Sequence, residues 1–202
     1  MDTEILIIRD SLRLFRLYGI RSLSLEDIAR FIRIPVKILR HYFHTKEMLL
    51  QKCVRYWISR VEIFKYTDDC LLDVLINFAD AYPRLYKKVN CRCCMEIKKY
   101  YPHVSRFLYE YFERYARAYQ DKVEESVALG YVRRSISPHL VYNFFMENFE
   151  KLFMVEPDRD SREEEACMKQ SIVVFVRGIA TGKGRVYICL LYTSPSPRDY
   201  AA

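Results

Sequence analysis

Apolar residues recur at helical spacing from the start of the chain. Ile5, Ile8, Leu12 and Phe15 fall three or four residues apart, and Leu14 and Leu17 widen the stripe. The pattern predicts an amphipathic helix ending at Tyr18-Gly19, because glycine readily takes the left-handed conformation that closes helices. A short second helix is predicted over 24–31. Ser24 is its cap, Asp27 puts an acid in its first turn, and Leu25, Ile28 and the small Ala29 form its inner face. After a tight break, 36–43 reads as a third helix. Pro35 suits its first turn, and Ile38, Leu39 and Phe43 can hold it to the others. Thr45 then reads as the cap of a fourth. Three helices in this order and spacing form a helix-turn-helix unit, which holds one short helix rigidly enough to enter a DNA major groove.

The helical pattern continues to near the end of the chain. Further helices are predicted over 46–65, 70–89, 92–100, 102–128, 138–154 and 161–177. Pro83 is a candidate kink in the second of these, and Gly130 and Gly178 are candidate terminators. No internal repeat or low-complexity linker interrupts them. The expected fold class is all-α: an N-terminal three-helix unit over 1–47, a helical domain over 48–184, and a tail over 185–202 that breaks from this composition.

Composition sharpens the picture. Of 202 residues, 51% are hydrophobic and 29% charged, which supports a packed core and argues against disorder. Glycine (5) and proline (7) are scarce, as expected where helices dominate. No apolar run approaches the roughly 20 residues a membrane helix needs. The N-terminus MDTEILIIRD lacks a signal-peptide pattern. The expectation is a cytoplasmic protein with no membrane association. The formal charge is +7. Locally the bias is stronger: Arg30, Arg33, Lys37, Arg40 and Lys46 are five cations with no acid among them from 30 to 46. Such an excess draws phosphates, although an ordinary solvated basic face can carry it too.

Residues 5–50 resemble the DNA-binding domain of the TetR family of bacterial transcriptional regulators. The resemblance lies in Leu14-Phe15 and Gly19, Ser24-Leu25-Glu26-Asp27-Ile28-Ala29, Leu39, Tyr42-Phe43, Lys46-Glu47 and Leu49. It implies an all-helical subunit, a homodimer, and a C-terminal domain that senses a small molecule. Three positions depart from the family's usual pattern: Arg33 stands where glycine is usual in the turn, Pro35 where serine or threonine caps, and Arg40 where tyrosine is common. Val36, Lys37, Arg40 and His41 lie at or near the start of the third helix, the part that meets base edges in this motif. The resemblance places Ser24, Tyr42 and Lys46 near phosphates. It also implies that the last two helices pair with their twins. Their apolar residues (Leu140, Phe144, Phe145, Phe149, Leu152, Ile172, Val173, Phe175 and Val176) exceed what one face needs.

Trp57, Phe64, Phe78, Tyr82, Tyr86, Phe107 and Tyr111 are candidates for an effector pocket, and as a group they point to an apolar or aromatic ligand. Taken singly, each is better read as a core residue. The chain has seven cysteines. Cys91-Arg92-Cys93-Cys94 lacks a second CxxC pair, so no zinc signature is present, and buried or half-buried reduced thiols are expected. No phosphate loop, GxSxG or HExxH motif occurs, so no catalytic residue, metal or cofactor is expected. The string from Cys189 to Asp199 resembles a translated sequencing adapter, and 189–202 is expected to lack regular structure. The expected function is a ligand-responsive transcriptional regulator, a repressor that binds a palindromic site on double-stranded DNA as a homodimer. The alternative is a helical ligand-binding or interaction protein without sequence-specific DNA binding.

Overall fold

The structure, a computed structural model, describes residues 3–60, 70–88, 91–154 and 161–193. Among them are ten helices: α1 (Thr3–Tyr18), α2 (Leu25–Phe31), α3 (Val36–Tyr42), α4 (Lys46–Ser59), α5 (Leu71–Lys88), α6 (Cys91–Tyr100), α7 (Pro102–Ala128), α8 (Pro138–Met154), α9 (Ser161–Ile179) and α10 (Gly182–Thr193). A single isolated bridge, Val132 to Ala180, is the one β pairing among the described residues. The fold is all-α. Contacts divide the chain into two compact units: 1–62 with 88–111 and 150–159, and 63–87 with 112–149 and 160–202.

In the first unit, α1 packs on α4. The buried arc of α1 is Ile7, Ile8, Ser11 and Phe15, while Ile5 and Leu17 are exposed and Leu12 is half-buried. The helix is therefore rotated from the stripe read in the sequence. The run Ile5-Leu6-Ile7-Ile8 offers apolar side chains on every face of its first turns, so periodicity alone leaves the inward direction open. From α4, Leu49, Leu50, Cys53, Val54 and Ile58 are buried. The Cys53 thiol lies 3.4 Å from the Ile8 carbonyl, and burial pushes its pKa up, which leaves it an inert packing group. Thr45 caps α4 as expected, with Oγ1 accepting from the Met48 amide at 3.1 Å. The helix stops at Ser59 rather than reaching 65, and 61–69 lie outside the described residues.

In the second unit, aromatic rings form the core. Phe78 of α5 meets Phe145 of α8 edge-on at 5.1 Å. Phe112 of α7 stacks on Phe149 at 4.5 Å, and Tyr119 lies 4.5 Å from Phe145. Helix α5 continues through Pro83, and α9 runs on to Ile179, so Gly178 sits inside a helix instead of ending it. Helix α10 was not expected. The Thr181 hydroxyl opens it by accepting from the Gly184 amide at 3.0 Å and donating to the Gly130 carbonyl at 2.7 Å. Ile188 is buried, and the Tyr187 hydroxyl donates to the Asp73 carboxylate at 3.0 Å. The helix extends through Cys189–Thr193, contrary to the irregular structure expected there, because an apolar Tyr-Ile-Cys-Leu-Leu-Tyr run precedes the first proline. Residues 194–202 lie outside the described residues.

Candidate nucleic-acid interface

The helix-turn-helix is assembled by local hydrogen bonds. Ser24 and Asp27 form a capping box. Ser24 Oγ accepts from the Asp27 amide at 3.0 Å, and Asp27 Oδ2 accepts from the Ser24 amide at 3.0 Å and the Ser24 hydroxyl at 2.6 Å. These bonds, the Ser24 hydroxyl first, hold the Asp27 carboxyl below its ordinary value. Helix α2 buries Leu25, Ile28 and Ala29, the three residues read as its inner face. It ends in a Schellman motif: the Ile34 amide donates to the Ala29 carbonyl at 3.0 Å, and the Arg33 amide to the Arg30 carbonyl at 3.2 Å. Arg33 is the left-handed residue of this motif, at φ 59°. Pro35 then takes the N-cap of α3, one position before the first turn. It has no side-chain cap bond, but its carbonyl accepts from Ile38 and Leu39.

Helix α3 is tied down at its C-terminal half. Leu39 is its one fully buried residue, and Phe43, just beyond it, is also buried. Ile38 is 42% exposed and does not anchor the helix as expected. Of the predicted base-facing residues, Lys37, Arg40 and His41 are exposed on this one short helix, as is Tyr42, while Val36 is half-buried. Two of the candidate cations are engaged. Arg40 Nη2 bonds Glu26 Oε1 at 2.5 Å, and this bond holds the Glu26 carboxyl below its usual value. Lys46 Nζ donates to the Ile20 and Leu23 carbonyls at 3.1 and 2.9 Å, bracing the loop between α1 and α2. Arg30 pairs with Asp27 at 3.4 Å. Arg33 and Lys37 make no ion pair among the described residues.

The loop that Lys46 braces is also held from α6, a tie that no local pattern foretells. Glu96 Oε2 accepts from the Ile20 amide at 2.5 Å and the Arg21 amide at 3.0 Å. Arg21 donates to the Tyr100 hydroxyl at 2.9 Å, with its guanidinium 4.2 Å from that ring's centre. Gly19 lies at φ +83°, and a Cβ there would fall 2.9 Å from Arg92 Nε. Glu26 and Glu96 are the functional candidates that sequence reasoning missed. Each acts on a residue 14 or about 75 positions away, and no spacing rule reports such pairs.

The effector candidates are dispersed. Phe107 and Tyr111 lie 6.4 Å apart in the first unit, where the Arg55 guanidinium sits 4.1 Å from the Phe107 ring centre. Trp57 is half-buried in the same unit. Phe78 is a core residue of the second unit. Phe64 and the side chains of Tyr82 and Tyr86 lie outside the described residues. A shallow apolar cleft in the second unit, with a cavity volume of about 10 Å³, is lined by Ile76, Ala79, Val173, Val176, Arg177 and Ile188. That is room for about one water molecule, far below the roughly 300–1,000 Å³ of a usual ligand site. Cys70, Cys93 and Cys94 are half-buried and Cys167 is exposed. Among the described residues no group of His, Cys, Asp and Glu could hold a metal ion, and no helix is long and apolar enough to cross a membrane.

Solved structures similar to the chain include Salmonella enterica GusR, with a TM-score of 0.67 and 18% identity over 87% of this chain and 94% of that one. A transcriptional regulator of the TetR/AcrR family from Thermobifida fusca YX-ER1 has a TM-score of 0.67 and 19% identity over 85% and 97%. AibR in complex with isovaleryl coenzyme A and operator DNA has a TM-score of 0.62 and 16% identity over 83% and 96%. The chain has the TetR-family fold. No family profile and no curated protein sequence matches it. Within this TetR-type fold the three departures read in the sequence acquire physical form. Arg33 adopts the left-handed turn conformation without being glycine. Pro35 caps α3 through its backbone alone. Arg40 reaches across to α2.

Proposed function

We propose that the chain is a ligand-responsive transcriptional regulator that binds a palindromic operator as a homodimer and represses transcription from it. The observation that carries the proposal is the α2–turn–α3 unit. It is closed by a capping box and a Schellman motif and leaves Lys37, Arg40, His41 and Tyr42 on one solvent-facing helix. Such a helix meets base edges through Val36, Lys37, Arg40 and His41, while Ser24, Tyr42 and Lys46 stand near phosphates and set register. Lys46 has two of its three N–H groups committed to backbone carbonyls, which leaves one for a phosphate.

The effector is proposed to be an apolar or aromatic small molecule, with Trp57, Phe107 and Tyr111 of the first unit as its candidate contacts. The neighbour AibR was solved with an acyl coenzyme A and operator DNA, which supports this class of response. The ligand acts through different affinities for DNA-competent and DNA-incompetent states, and α4 carries the change to the spacing of the two recognition helices. Dimerisation is assigned to α8 and α9, where Phe144 and Phe175 stack at 3.8 Å beside the exposed Leu140 and Val174.

Selection of the full chain on random duplex DNA tests the proposal. The expected product is a sequence with two inverted half-sites, spaced by whole helical turns to match a twofold dimer. Recovery of unenriched DNA at low salt would refute the reading and favour a helical binding protein with no operator.

A further inference from the structure

We infer that Glu26 sets the sequence selectivity of the DNA interface by holding Arg40. The inference deepens the function proposed above and rests on it. Glu26 lies in the first turn of α2 and Arg40 in the last turn of α3, and one guanidinium nitrogen bonds one carboxylate oxygen at 2.5 Å. The side chains are 48% and 55% exposed, so a DNA duplex can reach both. Among the described residues, Glu26 is the only side chain bonded to the Arg40 guanidinium.

That guanidinium has five N–H donors in a planar fork, and a one-point contact leaves a second edge open. Guanine presents O6 and N7 to such an edge and binds it in plane. A base edge is uncharged and need not displace the carboxylate. A phosphate is different. It can also bond the open edge, but much of its attraction is between full charges, and beside Glu26 it meets a neutralised cation and a like charge. With Arg40 beside it, the Glu26 carboxyl stays ionised at neutral pH. The pair therefore costs a non-specific phosphate contact more than a specific base contact. Selectivity is a difference of affinities, and a repulsive element against the wrong partner raises it. Glu26 is a positioning residue here. The contact belongs to Arg40.

The test uses the full chain with Glu26→Gln, Arg40→Gln and the double variant. Affinity is measured across a salt series on random duplex and on the sequence enriched by the unmodified protein. Glu26→Gln should tighten binding to random duplex roughly two- to fivefold, the range of an exposed ion pair. It should steepen the plot of log affinity against log salt by about one unit, the value of one added phosphate contact. The gain on the enriched duplex should be smaller, so the ratio of the two affinities falls. In the Arg40→Gln background, Glu26→Gln should leave that ratio unchanged. Equal gains on both duplexes, loss on both, or the same fall in ratio without Arg40 would overturn the inference while leaving the proposed function standing. If the unmodified protein enriches no sequence, the proposed function fails and the inference falls with it.

Discussion

Arg33 and Gly130 occupy the same place in two copies of one motif. Both are left-handed residues at the end of a helix, with the amide of the following residue bonded five positions back. Gly130 is there at no steric cost. Arg33 carries strain of about 1 kcal/mol from its Cβ against the neighbouring carbonyl. Arg33→Gly should relieve that strain but also loosens the unfolded chain by roughly 0.4–1 kcal/mol. Urea denaturation should therefore show a change smaller than about 1 kcal/mol in either direction. The same variant removes an exposed cation from the proposed interface, so DNA affinity should fall on all sequences and the salt dependence should flatten. A large stability loss would show that the Arg33 side chain holds the turn. Asp27 gives a pH-dependent counterpart. Its folded pKa lies below the ordinary 3.8, chiefly through the Ser24 hydroxyl and then the Ser24 amide. The ionised form is favoured by folding, so its contribution is present above about pH 4 and is lost as pH falls through the lowered value. Asp27→Asn should flatten the stability profile below pH 4 and leave its shape near neutrality unchanged.

The short elements of the first unit were legible in the sequence because local chemistry builds them. The Ser24 and Thr45 caps, the inner face of α2, and the left-handed Gly19 all follow from residues within a few positions of one another. The direction of α1 was not legible, since Ile5 and Ile7 are equally apolar and only the α4 partner decides between them. Glu96 was invisible for a related reason: its partners, the Ile20 and Arg21 amides, are brought to it by folding alone. Its role is testable at this scale. Glu96→Ala leaves two backbone donors of the α1–α2 loop without their charged acceptor. With water available at this partly exposed site, the expected cost is about 2 kcal/mol. Thermal or urea unfolding would measure it. A change below about 0.5 kcal/mol would mean that Lys46, bonded to the Ile20 and Leu23 carbonyls, fixes the loop alone. Of the candidate site, the exposed side of α3 was readable from the sequence, whereas the engagement of Arg40 and Lys46 was not.

For the molecule as a whole, the burial pattern of α8 and α9 separates residues that the sequence grouped together. Phe145, Phe149, Ile172 and Val176 are buried within the second unit, while Leu140 and Val174 are exposed beside the stacked Phe144 and Phe175. Val174→Glu should therefore spare the subunit fold and prevent the proposed pairing. Sedimentation should then give a monomer with unchanged helicity, and affinity for a two-half-site operator should drop at least tenfold. A dimer that persists would move the interface elsewhere. The Thr181 amide donates to the Tyr131 carbonyl at 2.9 Å, and Gly184 packs so closely that a Cβ there would fall 2.2 Å from the same oxygen. The Thr181 amide should therefore give up its proton to deuterated solvent only when the start of α10 lifts away from Tyr131. Its exchange would serve as a built-in reporter of that local opening, independent of any ligand or DNA.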